Sequence, residues 1–246
     1  SLSILKQYPQ FKKLNSEMEK INNFLFNQKL NGGNFNGLVR KFNNYGENYH
    51  FHFGGRLTGI GEDNYQLLKK EDRNKMKING EKVVEIDIQA SHLTILYGLL
   101  KEELPKGDVY HIPDFSRDII KLWITISLSN CKLCSRWPSK AKKKLEEKGH
   151  DLKRLPASKV LKKVILKFPI LDKPKSSFGW GYLQFVESNI ILSVMKKIIL
   201  KYNLPVYPVH DSLIIQKKNL SLTKKIIYDV FKSNLNIVPV LNESQN

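Results

Sequence analysis

The chain has 246 residues, 41% hydrophobic and 10% aromatic, which gives one large domain, or a domain with a subdomain, around a real core and excludes a disordered chain. Lys and Arg number 41 against 23 Asp and Glu, a net charge of +18, far from an ordinary metabolic enzyme and suited to a polyanionic partner, nucleic acid first and an anionic membrane second. No run approaches the roughly 18 apolar residues of a spanning helix, so no membrane partner is expected. A cytoplasmic location, or a phage-, plasmid- or organelle-encoded protein working inside the cell, is the expectation. The chain opens on Ser1 rather than Met, and a piece of something longer is expected. An Asn/Lys-rich coding bias, visible in FNNYGENY and KKNLSLTKK, accounts for some lysines but not for the low acid count.

In chain order, residues 1–30 read as a helix. Met18, Ile21, Phe24 and Leu25 recur at helical spacing, and Ser16 is a candidate cap. NGGNFNG breaks the pattern. YHFHFGGRLTGIG, from 49, alternates like a strand and ends in glycines. Asn79-Gly80 is a turn signal, and Val83 to Ile88 is a strand. SHLTILYGLL continues as a helix with an apolar face. Residues 106–114 are a loop punctuated by Pro and Gly, and 115–130 are helical. SRWPSKAKKKLEEKGHDLKR is strongly charged, with Pro138 as a break, and 156–171 is amphipathic. Gly179 to Gly181 precede a long helical run from Leu183 to Tyr202. Val206, Tyr207 and Val209 form one short strand and Leu213, Ile214 and Ile215 another. A helix follows near 221–235, and NIVPVL closes the chain as a strand. Helices and a few antiparallel strands mix without βαβ alternation, which defines an α+β fold.

Cys131 and Cys134 form a C-x-x-C. A structural zinc needs four ligands, and no second such pair exists. No thioredoxin-like strand precedes the motif. Two reduced thiols of a cytoplasmic protein are expected.

Two aspartates carry the chemistry. Asp87 stands near the end of a strand with a helix starting at once, and Asp211 stands beside His210 at a hairpin tip. Each has an ordinary reading, as a helix-capping cluster and as a polar turn. If the two strands are sheet neighbours, however, the carboxylates converge and need cations between them. Two Mg²⁺ ions about 3.5–4 Å apart would satisfy such a pair and suit in-line attack on phosphorus.

These residues, with others, resemble family A DNA polymerases reduced to palm and fingers. That family orders a T-G-R-L stretch, an N-L-Q-N-I-P-like segment, a D-Y-S-Q-I-E-L strand, an R-x-x-x-K fingers helix and a helix leading to V-H-D-E-L. This chain has, in the same order, GGRLTGIGEDNYQLL at 54–68, EIDIQASHLTIL at 85–96, RDIIK at 117–121, LQFVESNIILSVM at 183–195 and PVHDSLII at 208–215. The V-H-D-S form also resembles phage-type single-subunit RNA polymerases, which share the palm. The resemblance spans about residues 49–216.

The resemblance implies a palm-type antiparallel sheet over 49–246 with a helical fingers-like insertion at about 106–180. Residues 1–48 would be a small N-terminal helical region, a reduced thumb. It implies template-directed nucleotidyl transfer to a 3′ end, with a nucleic acid primer–template and nucleoside triphosphates as partners and pyrophosphate leaving. Asp87 and Asp211 would be the catalytic metal ligands for two Mg²⁺ ions, completed by the backbone carbonyl of Ile88. Arg117 and Lys121, four apart on one helix face, would hold the triphosphate, with His92 also on the nucleotide side. Arg56, Gln66, Gln184 and His210 would contact the nucleic acid. Read without the resemblance, these are a solvated basic face, a polar loop, a surface helix residue and a hydrogen-bonded turn histidine.

The departures are specific. Ser129-Asn130 stands where the family has Tyr-Gly, and Trp123 is the only nearby aromatic. His92 stands where the DNA enzymes have Glu. DNA against RNA synthesis therefore stays open, and a single-subunit RNA polymerase or primase-like enzyme is an alternative. No exonuclease domain is present, so a further module or protein supplying processivity is expected. The lysines of 136–154 and 159–175 are expected to line a groove for the phosphate backbone. A metal-dependent nuclease of ribonuclease H type would need extra acids, for which Glu85, Glu187 and Asp229 are the candidates. A non-catalytic nucleic-acid-binding module would keep only the basic surface.

Overall fold

The computed structural model describes residues 5–6, 8–43, 51–172 and 179–244. Tyr49 and His50 of the expected strand, Lys173 and Lys175 of the basic stretch, and 1–4, 7 and 44–48 of the expected N-terminal region lie outside the described residues. The chain divides into two compact units, Ser1–Lys101 with Tyr182–Asn246, and Glu102–Gly181.

The first unit begins with α1 (Pro9–Phe26), whose Met18, Ile21 and Leu25 form the buried stripe. Pro9 occupies the first turn, where its missing N–H removes no helical bond. Ser16, expected as a cap, therefore lies inside the helix, and Tyr8 is the N-cap residue. Short strand β1 (Leu30–Asn31) follows, then β2 (Leu38–Phe42) and β3 (Gly54–Gly59). A single-turn helix, α2 (Lys70–Arg73), leads to β4 (Lys77–Ile78) and β5 (Glu81–Ile88). Asn79 and Gly80 both have positive φ, as the two-residue turn between β4 and β5 requires. α3 (Ser91–Leu99) starts directly after β5.

The second unit holds α4 (Arg117–Ser129), α5 (Ser139–Glu147) and α6 (Ala157–Lys167). Trp123 is fully buried, and its indole N–H donates to the carbonyls of Cys134 (2.8 Å) and Ala157 (3.2 Å). One side chain thus ties α4 to the C-x-x-C loop and to the start of α6. Cys131 is exposed, Cys134 is buried, and both are free thiols.

The chain returns through α7 (Trp180–Lys196), which runs into a π-helical turn at Lys197–Lys201. Strands β6 (Val206–Val209) and β7 (Ser212–Gln216), helix α8 (Leu220–Leu235) and strand β8 (Leu241–Glu243) complete it. The main sheet has the order β1-β4-β5-β7-β6, with β8 also on β5. Every pair in it is antiparallel. β2 and β3 form a separate antiparallel pair. The architecture is α+β. The closing strand lies later than NIVPVL suggested, because Pro239 has no N–H to give a ladder.

β5 is the central strand, and Val83, Val84, Glu85 and Ile86 are all buried. An acid in that run needs a reason. Arg73 of α2 grips Glu85 with two bonds, Nε to Oε2 at 2.8 Å and Nη2 to Oε1 at 2.9 Å. The Ser212 hydroxyl of β7 donates to Glu85 Oε1 at 2.8 Å. Paired this way, the charge is tolerated; left alone, it is strongly unfavourable. Arg73→Ala should lower unfolding free energy by about 3–5 kcal/mol in urea titration, the penalty of an orphaned buried carboxylate. A change no larger than that of an exposed lysine substitution would contradict the pairing.

Candidate active site

The site grows from one register. Across the β5–β7 pair, Asp87 faces Ser212, the residue after Asp211. The Ile88 N–H also reaches the Asp211 carbonyl at 3.4 Å. Strand spacing therefore sets the Cα atoms of Asp87 and Asp211 about 6 Å apart. The two-strand hairpin expected around His210 and Asp211 is present, with Val209 paired to Ser212.

Two residues beside these aspartates have left-handed backbone without being glycine: Ala90 (φ 49°), between β5 and α3, and His210 (φ 55°), at the β6–β7 turn. Each such residue costs on the order of 1–3 kcal/mol, and such strain gathers at functional sites. The turn at Ala90 lets α3 begin at Ser91 and places His92 in its first turn.

Arg56 on β3 approaches from the same unit. Its Nε and Nη2 donate to Glu187 Oε2 at 3.0 and 2.8 Å. His92 Nε2 lies 3.2 Å from Glu187 Oε1. The Glu187 side chain on α7 is 2% exposed. Burial alone would raise its carboxyl, but His92 and Arg56 hold it down to about 2. Asp211 behaves oppositely. Burial, with the negative charges of Glu187 and Asp87, pushes it up to about 6. Desolvation and the Arg56 guanidinium push the His210 imidazole below its usual value. Asp87, Asp211, Arg56, His92 and His210 thus share one electrostatic neighbourhood, all within the first unit.

Other expected site residues stand differently. The Gln66 side chain is tied inward: its Oε1 accepts from Gly59 N (2.9 Å) and its Nε2 donates to the carbonyls of Pro208 (2.7 Å) and Leu57 (3.2 Å). It braces the edge strand β6. Gln184, also read as a surface residue, is 7% exposed. Arg117 and Lys121 lie on α4 in the second unit, where Arg117 pairs with Asp108 at 3.0 Å. Both cations stand over the Tyr110 ring, at 5.0 and 5.9 Å from its centroid. Sequence reading named Trp123 as the nearby aromatic, but Trp123 is core, and Tyr110 is the ring beside these cations.

Glu187 was read only as a spare acid for a nuclease; nothing in its helix marks Arg56, 131 residues earlier, as its partner. Of the other spare acids, Glu85 is held by Arg73, and Asp229 pairs with Lys225 on the exposed face of α8. Among the described residues, no group of three or more His, Cys, Asp or Glu side chains is placed to hold a metal ion. Also among the described residues, no helix is long and apolar enough to cross a membrane. Residues 132–167 carry thirteen Lys or Arg and three Asp or Glu, and Lys140, Lys142, Lys144, Lys159, Lys162 and Lys163 are exposed.

No protein-family description matches this sequence, and no curated protein does. Among solved structures, the chain is similar to the POL domain of Pol1 from M. smegmatis in complex with DNA primer-template and dNTP. The identity is 13% and the TM-score 0.47, over 77% of this chain and 45% of that one. The chain thus spans less than half the length of that protein.

The raised Asp211 carboxyl has a consequence for stability. Its folded value of about 6 exceeds its ordinary 3.8, so the folded state holds the proton more tightly and loses stability as pH rises from about 4 to 6. Asp211→Asn removes that loss. The variant should match the wild type near pH 4 and exceed it by about 2–3 kcal/mol above pH 6.5, measured by thermal unfolding across pH. A constant difference at every pH would contradict the burial and neighbouring charges that raise this carboxyl.

Proposed function

We propose that this chain is a template-directed nucleotidyltransferase that extends a 3′ end, most closely DNA polymerase-like. The observation that carries this reading is the β5–β7 register, which sets Asp87 opposite the residue after Asp211. The five motifs at 54–68, 85–96, 117–121, 183–195 and 208–215 support it by their order.

Mg²⁺ is the implied cofactor, as two ions. The donor set fits: two carboxylates and the Ile88 carbonyl are hard oxygen ligands, and Mg²⁺ is bound through one or two carboxylates plus substrate phosphates. The electrostatics fit too, since burial and then the charges of Glu187 and Asp87 raise the Asp211 carboxyl, and a cation favours its charged form. The chemistry Mg²⁺ supplies when bound is charge stabilisation on the attacking and leaving oxygens. The reaction joins a 3′ hydroxyl oxygen to the α-phosphorus of a nucleoside triphosphate and breaks its bond to the bridging oxygen of pyrophosphate.

This chain's own residues bind and orient. Arg56, fixed by Glu187, is suited to the primer–template strand. His92 stands on the same carboxylate and is suited to the nucleotide side. Arg117 and Lys121 are suited to the triphosphate. The Arg117–Asp108 pair is about half exposed, so exchanging Asp108 for a phosphate costs little. The exposed lysines of α5 and α6 are suited to the phosphate backbone. The nuclease alternative loses support from Glu85 and Glu187, since an arginine holds each.

The test is a labelled primer–template with Mg²⁺ and dNTPs or NTPs in separate reactions. Wild-type protein should extend the primer, and the sugar used will set the product. Asp87→Asn and Asp211→Asn should each lower the rate by roughly 10³-fold or more while remaining folded, since each ~1.4 kcal/mol lost is tenfold. Primer shortening would favour the nuclease, and binding without turnover would favour the binding module.

A further inference from the structure

Arg56 is a long, flexible cation whose strand neighbour Leu57 shares the Gln66 amide with Pro208, at the base of the hairpin turn that carries Asp211. A guanidinium so placed forms a two-pronged pair with any carboxylate it meets. It meets Glu187 instead, with Nε and Nη2 both on Oε2. Among the described residues, Nη1 donates to none, and the side chain is 28% exposed.

Further hydrogen bonds tie the scaffold around this pair. Arg40 on β2 sends Nη2 to Ser188 Oγ (3.1 Å) and Asn189 Oδ1 (2.8 Å) on α7, and Nε to the Gly55 carbonyl (3.0 Å). Two arginines from paired strands therefore grip one turn of α7, at 187–189. Gly55 permits it: its φ is +79°, and a Cβ there would come within 2.8 Å of Arg40 Nη2 and the Phe42 ring. His92 closes the other side of the Glu187 carboxylate. Glu187 of α7 is thus held from two other elements, β3 and α3, and cannot itself turn toward the aspartates without breaking both contacts.

We infer that Glu187 is a positioning residue that keeps Arg56 off Asp211, so that Asp211 stays available to a divalent cation and the open edge of Arg56 stays available to a nucleic-acid phosphate. This rests on the two-aspartate cation site proposed above. With Glu187 neutralised, Arg56 loses its carboxylate and turns to the next one, Asp211. The arginine then competes with the divalent ion for the same oxygens.

The experiment measures Mn²⁺ affinity by the free-ion electron paramagnetic resonance signal, on the whole chain, with no nucleotide or nucleic acid present. Glu187→Gln should weaken Mn²⁺ binding about tenfold or more in the wild-type background, but by less than about threefold in an Arg56→Met background, since contacting residues are non-additive. Equal factors in both backgrounds would mean that Glu187 acts only as a distant negative charge, and would overturn the inference. A crystal structure of Glu187→Gln needs no Arg56 variant. A guanidinium moved onto Asp211 supports the inference, and one still on residue 187 overturns it. Wild-type protein that binds no Mn²⁺ also overturns it. Coupling to Arg56 in a protein that extends no primer would sink the nucleotidyl-transfer reading alone.

Discussion

Two buried glutamates, Glu85 on β5 and Glu187 on α7, and two aspartates, Asp87 and Asp211, at the paired ends of β5 and β7, share the first unit, which is arranged around how their charge is met. Arg73 takes Glu85, and Arg56 with His92 takes Glu187. Both pairs are largely buried, a geometry in which removal of either partner is far more damaging than the pair is stabilising. Asp211 receives no such fork among the described residues, and its carboxyl is pushed up to about 6. Arginines thus meet two of the acids, while burial and neighbouring charges raise the third. That contrast separates the arginine-paired carboxylates from one that holds its proton more tightly.

The backbone carries a matching strain. Ala90 and His210 each hold a left-handed conformation next to an aspartate-bearing strand end. At Ala90 the strain lets a helix start without a connecting loop. At His210 it closes a two-residue turn tightly enough for Asp211 to follow at once. The surrounding pairings, Asp87 with Ser212 and Val209 with Ser212, over-determine both turns. Gln66 and the Tyr65 hydroxyl hold the Pro208 carbonyl at 2.7 Å each, which fixes the edge strand that carries the turn.

Much of this was legible in the sequence where local rules decide. Val83 to Ile88, the Asn79-Gly80 turn, the helix after Ser91 and the hairpin at His210 are set by alternation, turn chemistry and apolar periodicity, and all four are present. Strand β2 was missed because Leu38–Phe42 alternates only weakly and follows a glycine-rich stretch. The placement of β8 failed on Pro239, a one-residue veto that hydropathy does not weigh. The partners of Glu85 and Glu187 were invisible for a different reason. A charge pair across 12 or 131 residues has no period, and only the folded register brings it together. Gln66 adds a third case: a polar residue in a loop shows no partner until the edge strand it braces is known.

The central claim is electrostatic: burial and the neighbouring carboxylates raise the Asp211 carboxyl, and we propose a divalent cation as its partner. Carbon-13 NMR of the labelled aspartate carboxyls, titrated with and without Mg²⁺, tests it directly. The account predicts an Asp211 midpoint near 6 without the ion, moved well down once Mg²⁺ is added, and absent from the Asp211→Asn spectrum. A midpoint in the ordinary aspartate range, about 4, that ignores Mg²⁺ would contradict it.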